Sequence, residues 1–508
     1  MDSGEATFLR RLLPSSVFVS GAVVMVLQVL GARFIAPVYG TSLYVWSAVI
    51  AVTLLALAVG YWVGGLLADR FPRASVYFLV FEVAALLIVL LPLVREPILA
   101  WTMPLGLRAG ALTAAVLFLG VPLTLLGTVS PFSVRLAAHL IADLGRTTGR
   151  LYAISTAGSL CGTLLAGFYL IPSFRLGSIF LGTALVLCVP AIAYQIRWSR
   201  RGLALAVVVA TVGVAVALQP ARASEQIRHV RETHFGQVKV LDAGGARTLL
   251  VNGTIQTQTI SGSNVPLTAY APILVELAWR AKPDGRRALL VGLGGGVLPP
   301  LFASFGVRTE SVEIDPAMLD VARTYFGLDP RRHPVTIADG RAALADARHT
   351  WDYVVLDAFA GEGVPIHLLT REMMEVIDRR LARGGLLVLN FLGHREGERA
   401  LPLRSVVRTV ETRFPHVLVV PSYPPGDYGN NIVLASREPI TLRPGLRPFP
   451  VPPWLAPQIV LQPPLDVSGP GVVLSDDYNP LDLWGVEGSE TWRRAAMAMY
   501  PSDVLLSD

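Results

Sequence analysis

Residues that could do chemistry lie at the ends of four predicted strands in the C-terminal half of this chain. These residues are the glycine-rich turn Gly292–Val297, then Glu313, then Asp339 with Gly340, and finally Asp357. Glycines after a strand let the backbone approach a ligand closely and leave helix-start amides free. A carboxylate at the second strand end can accept both hydroxyls of a ribose, and the third suits an adenine edge. The order of these groups predicts a nucleoside site with one further acid, Asp357, beside it.

Alternating strands and helices are expected to position these groups. The predicted strands are residues 288–293, 308–315, 334–339, 351–359, 384–392, 416–423 and 430–436. The predicted helices are residues 269–281, 316–326, 370–382 and 403–414. Such alternation favours a largely parallel sheet with helices on both faces, in which ligands bind beyond the carboxyl ends of the strands. We therefore predict an α/β Rossmann-like domain of the class I methyltransferase type over residues 266–508.

A smaller element precedes that domain. The polar stretch after the last apolar run predicts a linker, and two extended runs follow at 230–243 and 247–259. Gly244 and Gly245 separate these runs, so the pattern indicates a hairpin. We expect residues 221–265 to form a linker and a β-hairpin subdomain.

The first 220 residues are predicted to form a multi-span α-helical membrane domain. Apolar runs long enough to cross a bilayer, about 20 residues each, lie at 16–37, 43–68, 76–94, 109–128, 151–172, 176–194 and 202–218. The chain is 53% hydrophobic and only 16% charged, below the roughly 25% charged residues of soluble proteins. Residues 1–220 carry 14 Arg, no Lys and 6 acidic residues, a formal charge of +8 that leaves −2 for the remainder.

These patterns argue against several classes of protein. The basic excess lies in the apolar half, so a nucleic-acid partner is not expected. Cys161 and Cys188 both lie in apolar runs, and they predict neither a disulfide framework nor a metal site. A dinucleotide enzyme would need G-x-G-x-x-G, which Gly292, Gly294 and Val297 do not fit. We therefore expect a nucleoside ligand without phosphates.

The series GLGGG, VEID, DG, LDAFAGEGVPIHLLT and DDYNPLD, preceded by LLVNGTIQ, resembles the spermidine synthase family of polyamine aminopropyltransferases. The apolar phrases YVWSAVIAVTLLALAVGYWVGGLLADR and GRLYAISTAGSLCGTLLAGF resemble its bacterial branch with a fused membrane domain. The resemblance implies aminopropyl transfer from decarboxylated S-adenosylmethionine to a diamine such as putrescine. It also implies release of 5′-methylthioadenosine and no permanently bound cofactor.

The resemblance assigns roles to particular residues. Asp357 matches the catalytic acid, which would hold an amine that is protonated at neutral pH and accept its proton. The loop Ala358–Leu369 would close over it and exclude water. The expected nucleoside contacts are Gln256, Gly292, Gly294, Gly295, Glu313, Asp339 and Gly340. The expected substrate contacts are Tyr270, His367, Asp476 and Asp477, and for His367 packing within the loop is the alternative.

Three family positions are altered in this chain. Val297 stands where an acid usually follows the glycines, Ala360 replaces a second acid, and Ala271–Pro272 replaces a His-Glu pair. Asp476 and Asp477 could supply the missing negative charge, or they could be exposed turn residues. The missing acid at position 297 is expected to weaken discrimination against ordinary S-adenosylmethionine.

Two other functions remain open from the sequence. One is a methyltransferase that uses intact S-adenosylmethionine, and the other is a polyamine transporter or sensor with a non-catalytic nucleoside domain. Glu82, inside an apolar run, is the residue on which transport would depend, and a structural pair with a basic residue such as Arg33 is the alternative role. The expected partners are an amine substrate, the lipid bilayer and further copies of this chain in a homo-oligomer. The arginine distribution with seven spans places the C-terminal half outside, whereas a cytosolic donor requires the cytoplasmic side, which we expect.

Overall fold

The computed structural model describes residues 3–138, 144–198, 203–218, 225–359, 363–422, 426–444, 456–501 and 504–505. The chain forms two compact units. One comprises Met1–Ser224 with Tyr500–Asp508, and the other comprises Glu225–Met499.

The first unit is helical. Its helices are α1 (Ser3–Tyr39), α2 (Leu43–Arg70), α3 (Ala74–Thr102), α4 (Gly106–Ala138), α5 (Leu144–Leu165), α6 (Ile171–Ser173), α7 (Leu176–Trp198) and α8 (Leu203–Leu218). Their described residues include those of all seven predicted apolar runs, apart from residue 202 and the π-helical turn Ala166–Leu170 between α5 and α6. Among the described residues, five helical segments are long and apolar enough to cross a membrane, and one of them, Ala74–Ala138, comprises α3 and α4. The number of crossings stays a prediction.

The second unit begins with a four-stranded antiparallel sheet where a hairpin was predicted. Its strands, paired in chain order, are β1 (Ile227–Glu232), β2 (Gln237–Ala243), β3 (Ala246–Val251) and β4 (Thr254–Ile260). The second predicted run is divided because Asn252 and Gly253 have φ values of 49° and 76°, as a two-residue hairpin turn requires. The polar stretch predicted as a linker, residues 219–230, extends into β1. Pairing with β2 makes residues 227–232 a strand, and residues 219–224 lie outside the described ranges.

A seven-stranded sheet forms the centre of this unit, and it confirms all seven predicted strands. They are β5 (Arg287–Val291), β6 (Arg308–Glu313), β7 (Val335–Ile337), β8 (Trp351–Leu356), β9 (Leu381–His394), β10 (His416–Pro421) and β11 (Tyr428–Ser436). The order is β10-β11-β9-β8-β5-β6-β7. β5 to β9 pair in parallel, whereas β11 runs antiparallel to both neighbours.

Helices cover both faces of this sheet. They are α9 (Tyr270–Ala281), α10 (Leu298–Ser304), α11 (Pro316–Phe326), α12 (Gly340–Asp346), α13 (Arg371–Arg380), α14 (Leu401–Glu411), α15 (Leu481–Trp484) and α16 (Val486–Met499). Side chains of β5 alternate between two apolar cores. Leu289 and Val291 pack in one core, and Ala288 and Leu290 pack in the other. This double burial is typical of parallel sheets, and α9, α11, α13 and α14 confirm the four predicted helices.

The chain reverses its order in the sheet at β5. It continues from β5 through β6 to β7 on one side, then returns to β8 on the other. The carboxyl ends of β5 and β8 therefore border the crevice in which ligands of such sheets bind. Gly292 and Asp357 lie at these two strand ends, where the Asp357 amide donates to the Val291 carbonyl at 2.9 Å.

Candidate active site

A cavity of about 320 Å³ lies at the carboxyl ends of β5, β6 and β8. Phe235, Val251, Gln256 and Thr257 of the small sheet contribute one part of its lining. Nine of the residues proposed from the sequence also line it, namely Gln256, Tyr270, Gly292, Gly294, Glu313, Asp339, Gly340, Asp357 and His367. Gly295, Asp476 and Asp477 are not among the lining residues.

Gly292 of the glycine-rich turn lies against the backbone of the residues that follow β8. Gly292 has a φ of +99°, and a Cβ at this position would lie 2.3 Å from the Asp357 carbonyl oxygen. A side chain is therefore excluded both by backbone conformation and by space. Gly295 has a different role, because its amide donates to Thr257 Oγ1 at 2.9 Å. It fastens the turn to β4 and does not face the cavity.

Glu313 ends β6 with both carboxylate oxygens held by the backbone. Oε2 accepts from the Leu293 amide at 3.0 Å, and Oε1 accepts from the Asp315 amide at 3.0 Å. Burial raises the pKa of Glu313 above its usual range, while these two amides oppose the shift. Each carboxylate oxygen has a second lone pair, so Glu313 can still accept two ribose hydroxyls.

Asp339 forms the N-cap of α12, which explains why a helix begins directly after β7. Its Oδ1 accepts from the Ala342 amide at 2.9 Å, and its Oδ2 lies 2.9 Å from His367 Nε2. Burial tends to raise the pKa of Asp339, but the bonds from Ala342 and His367 outweigh it and lower the pKa. Asp339 is therefore a fixed anion at the edge of the cavity.

Asp357 lies beside two polar side chains at the end of β8. Asn390 Nδ2 donates to Oδ1 at 2.7 Å, and the Tyr270 hydroxyl donates to Oδ2 at 3.5 Å. Burial raises the pKa of Asp357 from 3.8 to about 6, against the opposing effect of these two bonds. At neutral pH the carboxylate is thus ionised, and it can accept a proton more readily than an ordinary aspartate.

Asn390 is a site residue that the sequence analysis missed. It is fully buried on β9, and its Oδ1 accepts from Asn430 Nδ2 of β11 at 3.0 Å. This second bond fixes which end of the Asn390 amide faces Asp357. A lone amide in the apolar run LLVLNFL was the available signal, because a polar group inside a doubly buried strand needs hydrogen-bond partners.

Asp476, proposed as a substrate anion, is not among the residues that line the cavity. It forms a two-pronged ion pair with Arg341, at 2.7 Å for each prong, and this pairing lowers the pKa of Asp476. Its charge is therefore already balanced away from the cavity, and Asp477 does not line the cavity either. In the described ranges, no three His, Cys, Asp or Glu side chains are arranged to hold a metal ion.

The loop after Asp357 is only partly described. Ala358, Phe359, Pro365, His367 and Leu368 line the cavity, whereas residues 360–362, which include the altered position Ala360, lie outside the described ranges. The expected closure of Ala358–Leu369 stays a prediction.

Comparisons with known proteins give relatives for part of the chain. An N-terminal histidine N-methyltransferase of Emericella nidulans is 31% identical over 175 residues, 31% of this chain and 30% of that protein. A polyamine aminopropyltransferase of Vibrio vulnificus is 36% identical over 123 residues, 23% of this chain and 40% of that protein. Other curated relatives carry the names polyamine aminopropyltransferase and spermidine synthase. The matched segments span less than two thirds of these relatives.

Among solved structures, a probable spermidine synthase from Corynebacterium glutamicum matches 41% of this chain and 80% of that chain, with 22% identity and a TM-score of 0.38. No protein-family model matches this chain.

Proposed function

We propose that this chain, a relative of the spermidine synthase family over part of its length, is a membrane-bound aminopropyltransferase. It would transfer the aminopropyl group of decarboxylated S-adenosylmethionine to an amine, with a diamine such as putrescine as the acceptor. The second product would be 5′-methylthioadenosine.

The charge of the cavity lining is the observation that carries this proposal. Glu313, Asp315, Asp339 and Asp357 line the cavity, and none of its described lining residues is Lys or Arg. Decarboxylated S-adenosylmethionine is a sulfonium with an ammonium, and the acceptor is also a cation. Intact S-adenosylmethionine carries a carboxylate, which would lie among acids without a cationic partner.

The reaction follows from the position of Asp357 next to Gly292. The carboxylate holds the acceptor ammonium and takes one proton from it as the attack begins. The freed nitrogen lone pair forms the new bond to the aminopropyl carbon attached to sulfur. The carbon–sulfur bond breaks, and its electron pair stays on sulfur to give the neutral thioether 5′-methylthioadenosine.

The remaining groups would bind the donor and acceptor. Glu313 accepts the ribose hydroxyls, Asp339 and Gly340 face the adenine edge, and Gly292 with Gly294 lets the backbone approach the nucleoside. Gln256 reaches the donor from β4. Tyr270 contacts the reacting end of the substrates, and His367 forms part of the cavity wall.

The membrane domain would keep this activity at a lipid surface. In the described part of the first unit, five helical segments have the length and composition of membrane spans. The donor is a cytosolic metabolite, so we infer that the nucleoside domain faces the cytoplasm. Glycosylation-site or cysteine-labelling scanning of the ends of α1 to α8 would test this orientation.

The test of the proposed function is donor selectivity. We expect the purified full-length chain in detergent to convert decarboxylated S-adenosylmethionine and putrescine into equal amounts of spermidine and 5′-methylthioadenosine. Because the carboxylate of the intact donor has no cationic partner, kcat/KM should favour the decarboxylated donor by at least about tenfold. Mass spectrometry of the products measures both reactions. S-adenosylhomocysteine as the main product would instead establish methyl transfer and overturn the proposal.

The pH profile should report the raised pKa of Asp357. Protonated Asp357 can neither hold an ammonium nor accept its proton, so kcat/KM should increase with pH, pass its midpoint near pH 6, where Asp357 is half ionised, and level off at higher pH. Initial rates of 5′-methylthioadenosine release between about pH 5 and pH 8 measure this inflection. A flat profile across this range would contradict the assignment of Asp357 as the base.

A further inference from the structure

One wall of the cavity is a short segment whose position is not fixed by the sheet. This wall segment, Pro365–Leu368, contains a 3₁₀ turn over Ile366–Leu368. Pro365, His367 and Leu368 line the cavity. The turn is too short to be stable alone, so its contacts with the rest of the unit must position it.

His367 is held at two points by neighbouring residues of α12. Its ring Nε2 lies 2.9 Å from Asp339 Oδ2, and its carbonyl accepts from Arg341 Nη1 at 3.4 Å. Asp339 and Arg341 are two positions apart at the start of the same helix. A displacement of the wall segment would therefore change the environment of the Asp339 carboxylate directly.

The loop that contains Asp476 and Asn479 holds Arg341 in place. Both prongs of the guanidinium bind Asp476 at 2.7 Å, a geometry that fixes orientation as well as charge. The same loop reaches the wall segment, because Asn479 Nδ2 donates to the Ile366 carbonyl at 2.8 Å. The Asp476 amide is itself anchored on Glu372 Oε2 at 3.0 Å.

We propose that Arg341 and Asp476 are positioning residues for donor binding. They hold His367 against Asp339 and thereby fix the orientation in which Asp339 meets the adenine edge of the donor. This inference rests on the proposed function, because it assigns Asp339 to the nucleoside. Neither Arg341 nor Asp476 lines the cavity, so both act through His367 and Asp339 and not on the reacting atoms.

The Arg341→Gln and Asp476→Asn variants test the proposal with 5′-methylthioadenosine as the probe. Each variant should weaken binding of this nucleoside to the full-length chain and raise the donor KM by about tenfold, the cost of a lost charge-assisted bond. The kcat value should stay within about twofold, because Asp357 is untouched. The double variant should match the single variants, since both remove one pair.

Arg341→Lys keeps the positive charge but loses the planar guanidinium that binds both oxygens of a carboxylate. Its affinity for 5′-methylthioadenosine should lie between those of the wild type and Arg341→Gln. This variant preserves the test if the uncharged variants fail to fold. Arg331→Gln is the matched control, because Arg331 also pairs with an aspartate, Asp329 at 3.2 Å, on the surface. It should bind the probe as the wild type does.

Unchanged probe affinity in Arg341→Gln and Asp476→Asn would overturn the inference, as would a lower kcat at unchanged donor KM. A loss of probe affinity in the double variant equal to the product of the two single losses would also overturn it. A wild-type chain that does not bind 5′-methylthioadenosine would overturn the proposed function and this inference together. Equal binding by the wild type and the variants would overturn the inference alone.

Discussion

Asp357→Asn should reduce aminopropyl transfer by about a thousandfold, within the range of general-base catalysis. The amide keeps the shape of the carboxylate and can still accept from Asn390, but it can neither balance an ammonium nor take its proton. Donor binding depends on other residues, so the dissociation constant of 5′-methylthioadenosine should change by less than about threefold. Product formation by mass spectrometry and nucleoside binding by calorimetry measure the two effects separately.

The same variant should be more stable than the wild type at neutral pH. Burial raises the pKa of Asp357 from 3.8 to about 6, so the folded chain binds its proton more tightly than the unfolded chain. The free energy of unfolding therefore falls as the pH rises through this interval and stays lower above it. The ionised group costs at most about 3 kcal/mol, at ~1.4 kcal/mol per pKa unit.

Asp320→Asn is the control, because this aspartate lies on the surface of α11 with a side chain that is 60% exposed. It should retain wild-type turnover and thermal stability. If Asp357→Asn kept more than about a tenth of the activity, Asp357 would not be the base. If the protein were a sensor without turnover, neither the wild type nor the Asp357→Asn variant would form product.

Glu313→Gln should weaken donor binding by about a hundredfold, because a hydrogen bond to a charged group contributes roughly 1.5–3 kcal/mol and two ribose hydroxyls are involved. The glutamine retains one acceptor oxygen, but its NH₂ group would face a backbone amide that Glu313 now accepts from. Both kcat/KM for the donor and the affinity for 5′-methylthioadenosine should fall together. The affinity for 5′-methylthioadenosine is measured by calorimetry.

Glu310→Gln is a matched control on the same strand. Glu310 pairs with Arg287 at 3.1 Å, and its side chain is 41% exposed. This variant should bind the nucleoside normally. If Glu313→Gln bound the nucleoside with wild-type affinity, the assignment of the ribose to Glu313 would be wrong. The proposed order of donor contacts along β5, β6 and β7 would then be wrong as well.

The strand ends could be predicted from the sequence because local patterns determine them. Most strands of the large sheet contain a short apolar run, as doubly buried strands require, although β6, RTESVE, does not. Glu313, Asp339 and Asp357 therefore came together from their order along the chain alone. The small sheet was predicted less well, because the Asn252–Gly253 turn lies inside what looks like one extended run.

Contacts between distant residues could not be predicted. Asp476 was proposed as a substrate anion, but its partner Arg341 is 135 positions away, and no local pattern connects the two. Asn390 was missed for the same reason, since its partners Asp357 and Asn430 lie on other strands. In both cases the pairing depends on how the strands and loops come together in space, and spacing along the chain does not encode this.

The composition of the cavity wall has a consequence for biosynthesis. Gln256 and Thr257 come from the small sheet, whereas Asp357 and His367 come from the segment after β8 of the large one. About a hundred residues separate these contributions, and contacts this distant in sequence form slowly and late. During synthesis, the nascent chain must therefore emerge from the ribosome at least as far as His367 before it can capture a nucleoside metabolite.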